Sequence, residues 1–165
     1  MNYIVCVDKN WGIGKGGDLL FSLPSDMKFF RETTSGKTVV MGRKTLLSLP
    51  GGRPLKGRHN IVITRQNIEI DGAEVVSSPE AALEAASRQP RTLVIGGASV
   101  YRQFFPYLDR VYVTKLGLAP HSDSFFPDLD ASPDWRCVQE GEPLEESGVG
   151  FRFCTYERVS GAAAL

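Results

Sequence analysis

An α/β fold is predicted for this chain: a single-domain, mixed and mostly parallel sheet, with helices on both faces and an antiparallel hairpin at the C-terminal end. Three observations predict it. Strand-like runs at 3–8, 37–41, 60–64, 74–77, 92–95 and 110–116 include several too uniformly apolar to have a face in water, as central parallel strands are. Helical patterns fall between them, so strand and helix alternate. After Leu116 the pattern changes to period two at 135–140 and 151–159, around the loop 140–150, as a hairpin added at a sheet edge would read.

The elements follow in order. The run 3–8 leads into Gly12, Gly14, Gly16 and Gly17, which formally satisfy G-x-G-x-x-G after a strand. That fingerprint needs its last glycine to run into a helix, whereas 18–23 intervene before Pro24 starts one. A loop able to close over a ligand and an ordinary long turn both fit. The helix 24–34 opens with Pro24 in its first turn and carries Asp26 on the face of Phe29 and Phe30, its i+3 and i+4 neighbours. Asp26 is either a solvated anion favoured by the helix dipole or a carboxylate set in an apolar wall to meet a ligand.

The run 37–41 stops at Gly42, and a short helix at 43–48 follows at once with Arg43, Lys44 and Thr45. The run 60–64 ends in Thr64 and Arg65, a hydroxyl and a guanidinium at a carboxyl edge. Ser77, Ser78, Pro79 and Glu80 start the helix 79–88, and the run 92–95 stops at Gly96 and Gly97 before a helix at 99–105. Strand ends that release backbone N–H groups suit phosphate, although such turns also occur for backbone reasons alone. Three on one edge suggest a ligand with several phosphates.

Composition narrows the classes. The 165 residues, 42% hydrophobic, suit one core, so a single domain is expected at 1–160 with a disordered tail at 161–165. Nineteen basic and nineteen acidic residues give zero formal net charge without a basic face, which argues against nucleic acid and anionic membrane as partners. The N-terminus lacks the pattern of a signal peptide and no run has transmembrane length, so a cytoplasmic protein is expected. Cys6, Cys137 and Cys154, an odd number, read as thiols rather than a disulfide framework, and His59 and His121 have no ligand-spaced neighbours, so no metal is expected.

Taken together, several motifs resemble the dihydrofolate reductase family of the single-domain bacterial type. They are Gly12-Ile13-Gly14, Leu23-Pro24-Ser25-Asp26, Met41-Gly42-Arg43-Lys44-Thr45, the stretch from Gly52 through Arg58 to Asn60, Ile95-Gly96-Gly97, Tyr101, Tyr112-Val113-Thr114 and Phe126-Pro127. Their order and spacing cover the chain from Tyr3 to about Arg158. The resemblance implies an eight-stranded mixed sheet and NADPH-dependent reduction of 7,8-dihydrofolate to tetrahydrofolate, in support of one-carbon metabolism. It also implies a monomer and an antifolate target.

The resemblance further implies a role for each matching residue. Asp26 would be the ionisable group of the pterin pocket, bonded to the ring's 2-amino group and N3, with Thr114 hydrogen-bonding the same carboxylate. Met27, Phe30 and Leu49 would sandwich the substrate's rings, Ile4, Val5 and Ile95 would complete the pocket, and Arg58 would pair with the α-carboxylate of the glutamate tail. Backbone groups of Cys6 and Ile13, with Gly14 and Leu19, would meet the nicotinamide. Gly97, Ala98, Ser99 and Val100 would hold the pyrophosphate, with Gly42, Lys44, Thr45, Gly96 and Tyr101 also in the cofactor site. Arg43, Thr64 and Arg65, beside Ile63, would surround the adenosine 2′-phosphate, where a basic cluster selects NADPH. Hydride would pass to pterin C6 with protonation at N5, Asp26 raising N5 basicity while water delivers the proton.

Three positions depart from the family's pattern: Phe21, counted here among the catalytic residues, replaces a tryptophan, Leu20 a proline, and Ser122 a glycine found in some bacterial members. Two rivals stand beside this reading. One is the reductase of riboflavin synthesis, against which Asp26 and Arg58 argue. The other is a regulatory module that binds NADPH without turnover.

Overall fold

The computed structural model describes residues 1–14, 23–118 and 122–159. In chain order its strands and helices are β1 (Asn2–Val7), β2 (Gly12–Gly14), α1 (Pro24–Thr34), β3 (Thr38–Gly42), α2 (Arg43–Ser48), β4 (His59–Ile63), β5 (Ala73–Val76), α3 (Pro79–Ser87), β6 (Thr92–Gly96), α4 (Ala98–Phe104), β7 (Arg110–Leu116), β8 (Ser124–Phe125), β9 (Trp135–Glu140), β10 (Leu144–Glu146) and β11 (Val149–Arg158).

The uniformly apolar runs become the middle of the sheet. Val39, Val40, Met41, Ile61, Val62 and Val94 are fully buried, because adjacent residues on these strands face opposite layers and both layers are covered. On one face Tyr3, Val7, Val40, Ile61 and Val94 pack with Ala82, Ala85 and Ala86 of α3 and Val100 and Phe104 of α4. On the other, Val39, Met41 and Val62 pack with Leu46 of α2, and Phe29 of α1 stacks on Phe153 of β11 at 4.7 Å. Helices therefore cover both faces, as the alternation of strand and helix predicts.

The strand order is β10-β11-β7-β1-β6-β3-β4-β5. From β7 to β5 every neighbouring pair is parallel, and β11 runs antiparallel to β7. Both β9 and β10 pair with β11, β10 through 149–151 and β9 through 154–158, so nine strands occupy eight positions.

Two expectations need correction. The loop 140–150 contains β10, which turns into β11 through Ser147 (φ 53°) and Gly148 (φ 77°). Two left-handed central residues are what a tight hairpin turn requires, and only the glycine signals this locally. The start of the first glycine-rich loop is strand rather than open turn, since Gly12–Gly14 pairs with β8. Both strands are too short for periodicity to reveal. The expected tail at 161–165 lies outside the described residues.

Candidate functional site

Most of the expected site residues gather at the carboxyl ends of the parallel strands, the edge where ligands of open α/β sheets bind. Helix α1 brings Asp26 to one side of it. Pro24 starts that helix, but Leu23 at its N-cap supplies no side-chain hydrogen bond. A distant residue does so instead: the Ser25 amide donates to Glu146 Oε1 (2.9 Å) and the Ser25 hydroxyl to Oε2 (2.5 Å). The C-terminal hairpin thus fixes the turn of α1 that holds Asp26.

The Thr114 hydroxyl donates to Asp26 Oδ1 at 2.6 Å. Thr114 is buried and lies between Cys6 of β1 and Phe153 of β11 in the sheet register. Burial pushes the Asp26 carboxyl above its ordinary value, and the Thr114 hydrogen bond pulls it partway back. Burial first, then the charges of Asp26 and Asp8, push the Cys6 thiol up, so it stays protonated. Of the other residues expected in the pterin pocket, Ile4 is buried, Phe30, Leu49 and Ile95 are half-buried and Met27 is exposed, whereas half-buried Val5 packs against the core on the opposite face of the sheet from Thr114. Leu49 and Ile95 belong to one apolar cluster with Val39 and Met41.

Arg58 lies beyond the other end of α1. Its Nε donates to Thr34 Oγ1 at 3.2 Å and Nη1 to the Lys56 carbonyl at 2.6 Å. Burial, then the charge of Arg31, lowers its pKa. The guanidinium is therefore held in place by neutral acceptors and keeps its charge for another partner.

A second group gathers where β3 and β6 end. Gly96 has φ +147°, and a Cβ there would lie 2.8 Å from Thr45 Oγ1, so the starts of α2 and α4 meet only because this residue has no side chain. The Gly96–Gly97 peptide bond is cis. Gly42 is equally close to α4, its Cβ position lying 3.0 Å from Val100 Cγ2. Ala98 is half-buried and Ser99 exposed, whereas the Tyr101 ring packs into the core 5.0 Å from Phe126. At the end of β4, beyond half-buried Ile63, the exposed Arg65 follows Thr64, whose hydroxyl accepts from the Gln66 amide at 3.2 Å. Arg43 donates to the Gln66 side chain, and Lys44 is exposed. A bare backbone cradle beside two guanidinium groups fits a phosphate-bearing dinucleotide.

Sequence reasoning missed four contributors: Gln66, Glu146, Asp8 and Trp11. Asp8 and Trp11 hold the chain leading into Ile13 and Gly14. The Asp8 carboxylate accepts from the amides of Asn10 and Gly12, both at 2.8 Å, and from the Ser122 hydroxyl at 2.7 Å. Trp11 is left-handed, with φ 62°, and is pinned by the rings of Phe126 and Tyr156 and by the Lys115 ammonium 5.3 Å from its centre. The only local signal was an aspartate two residues before an asparagine. Leu19, Leu20 and Phe21 lie outside the described residues.

Comparison with known proteins shows the family. The family model described as "Dihydrofolate reductase" matches residues 1–158. The chain is 39% identical to the dihydrofolate reductase of Bacillus subtilis (strain 168), covering 99% of this chain and 98% of that protein. It is 44% identical to that of Mycobacterium tuberculosis (strain ATCC 25618 / H37Rv), covering 88% and 90%. Among solved structures it is similar to dihydrofolate reductase from Enterococcus faecalis complexed with NADP(H) and RAB-propyl, with a TM-score of 0.83, 33% identity and 95% of each chain covered.

Proposed function

The chain belongs to the dihydrofolate reductase family, and from that premise we propose that it reduces 7,8-dihydrofolate to 5,6,7,8-tetrahydrofolate with NADPH and so supports one-carbon metabolism. The observation that carries this reading is a carboxylate, Asp26, whose pKa burial raises and which Thr114 holds at 2.6 Å.

NADPH supplies the hydride. The chain supplies position and field. Asp26 accepts from the 2-amino group and N3 of the pterin, which fixes the ring's orientation and makes its N5 more basic, so that water can protonate it. Phe30, Leu49 and Ile95 exclude bulk solvent from that face. Arg58 pairs with the α-carboxylate of the glutamate tail, a role suited to a guanidinium already oriented by Thr34 and Lys56.

On the cofactor side, the backbone at Cys6 and Ile13 meets the carboxamide, and the Gly96–Gly97 cradle with Gly42 and Thr45 takes the pyrophosphate. Arg43, Thr64 and Arg65 take the 2′-phosphate, with Gln66 orienting Arg43. The test is direct: reduced-nicotinamide absorbance should fall when dihydrofolate is added, faster with NADPH than with NADH. A chain that binds NADPH but leaves dihydrofolate unchanged would refute the proposal.

A further inference from the structure

Asp8 follows β1 two residues beyond Cys6 and is only 2% exposed. Its three partners, the amides of Asn10 and Gly12 and the hydroxyl of Ser122, are all neutral donors. Among the described residues no cation pairs with it. The turn does not itself need the charge. An asparagine could accept from the same two amides through Oδ1 and donate its own amide to Ser122. A buried carboxylate held by neutral donors keeps its field, which would stabilise a positive charge that develops nearby.

The packing sets this carboxylate against the chain that leads into Ile13. A Cβ on Gly12 would fall 2.4 Å from Asp8 Oδ2 and 2.3 Å from Ser122 Oγ, so the carboxylate rests against bare backbone leading into Ile13. Asp8 and Asp26 both act on the Cys6 thiol, so their fields overlap at the end of β1.

We propose that Asp8 is a field-setting residue on the hydride-donor side: its buried charge favours the oxidised, positively charged nicotinamide over the reduced, neutral one. The inference rests on the function proposed above. In that reaction the C4–H bond of the nicotinamide breaks and the hydride, carrying both electrons, bonds to pterin C6 while a solvent proton bonds to N5. The nicotinamide ring gains a positive charge as its hydride leaves. Asp8 and Asp26 then act on opposite partners, one easing donation and the other acceptance.

The test is Asp8→Asn, with dissociation constants for NADP⁺ and NADPH measured by calorimetry without substrate. NADP⁺ should weaken about tenfold while NADPH changes by less than about twofold, because the lost charge acts only on the cationic ring. Single-turnover reduction of dihydrofolate should slow by a similar factor at unchanged substrate KM. A residue that only holds the turn would shift both cofactor forms alike, and that result would overturn the proposal.

Ser122→Ala provides a second measure even if Asp8→Asn fails to fold. It removes a hydrogen bond but leaves the charge, so the ratio of NADP⁺ to NADPH affinity should be kept. A tenfold fall in that ratio would show that the hydrogen bonds, rather than the charge, set it. Failure of the wild-type chain to bind either cofactor would refute the underlying function instead, and is distinguishable because no ratio could then be measured.

Discussion

Replacing Thr114 by valine separates the charge of Asp26 from its placement. Valine has nearly the shape of threonine and suits a central strand, so β7 should keep its register with Cys6 and Phe153. What is lost is the hydroxyl that donates to Asp26 Oδ1 at 2.6 Å. A hydrogen bond to a charged group contributes about 1.5–3 kcal/mol, against about 1 kcal/mol when the acceptor is neutral. Burial already raises the Asp26 pKa and Thr114 opposes it, so removing Thr114 must raise it further. A carboxyl raised on folding stabilises the fold fully below its unfolded value, and that contribution is lost as pH rises through its folded value. Thr114→Val should therefore cost about 1.5–3 kcal/mol at neutral pH and only about 1 kcal/mol in acid. If the same bond holds the carboxylate in the reaction, kcat/KM for dihydrofolate should fall about tenfold or more at pH 7. Urea unfolding at several pH values, alongside a pH–rate profile, measures both effects. A loss of stability independent of pH, together with an unmoved profile, would show that Thr114 only fills space.

Three further outcomes are expected. Neutralising Arg43 and Arg65 together, as Arg43→Gln with Arg65→Gln, should weaken NADPH binding by about 2–4 kcal/mol and leave NADH nearly untouched; equal loss for both in a binding titration would assign the arginines elsewhere. Arg58→Leu should raise KM for dihydrofolate far more than for a pterin lacking the glutamate tail, and equal effects in steady-state assays would make Arg58 structural. Glu146→Gln keeps an acceptor for the Ser25 amide, turns the other carboxylate oxygen into a donor and removes the charge that caps α1, so kcat should fall several-fold with KM for NADPH unchanged; an unaltered kcat would mean that Asp26 needs no help from the hairpin.

The parallel core was legible because burial on both faces writes itself into consecutive residues: a run such as Val39-Val40-Met41 admits no wet face. Short pieces were not legible, since β2, β8 and β10 have 3, 2 and 3 residues, too few for a period. The glycine cradle was visible as strand-glycine-helix junctions, although the reason for Gly96, the Thr45 hydroxyl behind it, depends on tertiary packing. The polar contacts of the site were the least readable part. Asp26 and Thr114 are 88 residues apart, Asp8 and Ser122 114, and Ser25 and Glu146 121. Local periodicity reports only on neighbours within a turn or two, so only the resemblance joined Asp26 to Thr114, and nothing joined the other two pairs.

The two groups of charged residues differ in their exposure to solvent, and the difference bears on how each can use its charge. Arg43 and Arg65 lie toward water, where a cation costs little and can select an anionic group by direct pairing. Asp26 and Asp8 are withdrawn from water, where pairing with a lysine would lower the cost of burial but also cancel the field each could exert. Hydroxyls and amides avoid that cancellation: Thr114 and Ser122 fix the carboxylates through dipoles that leave a net negative charge in place. In the proposed reaction that field would act on a ligand presenting hydrogen-bond donors or a developing positive charge. Such a site would then favour the transition state over the empty fold, in keeping with the neutral donors that meet both carboxylates among the described residues.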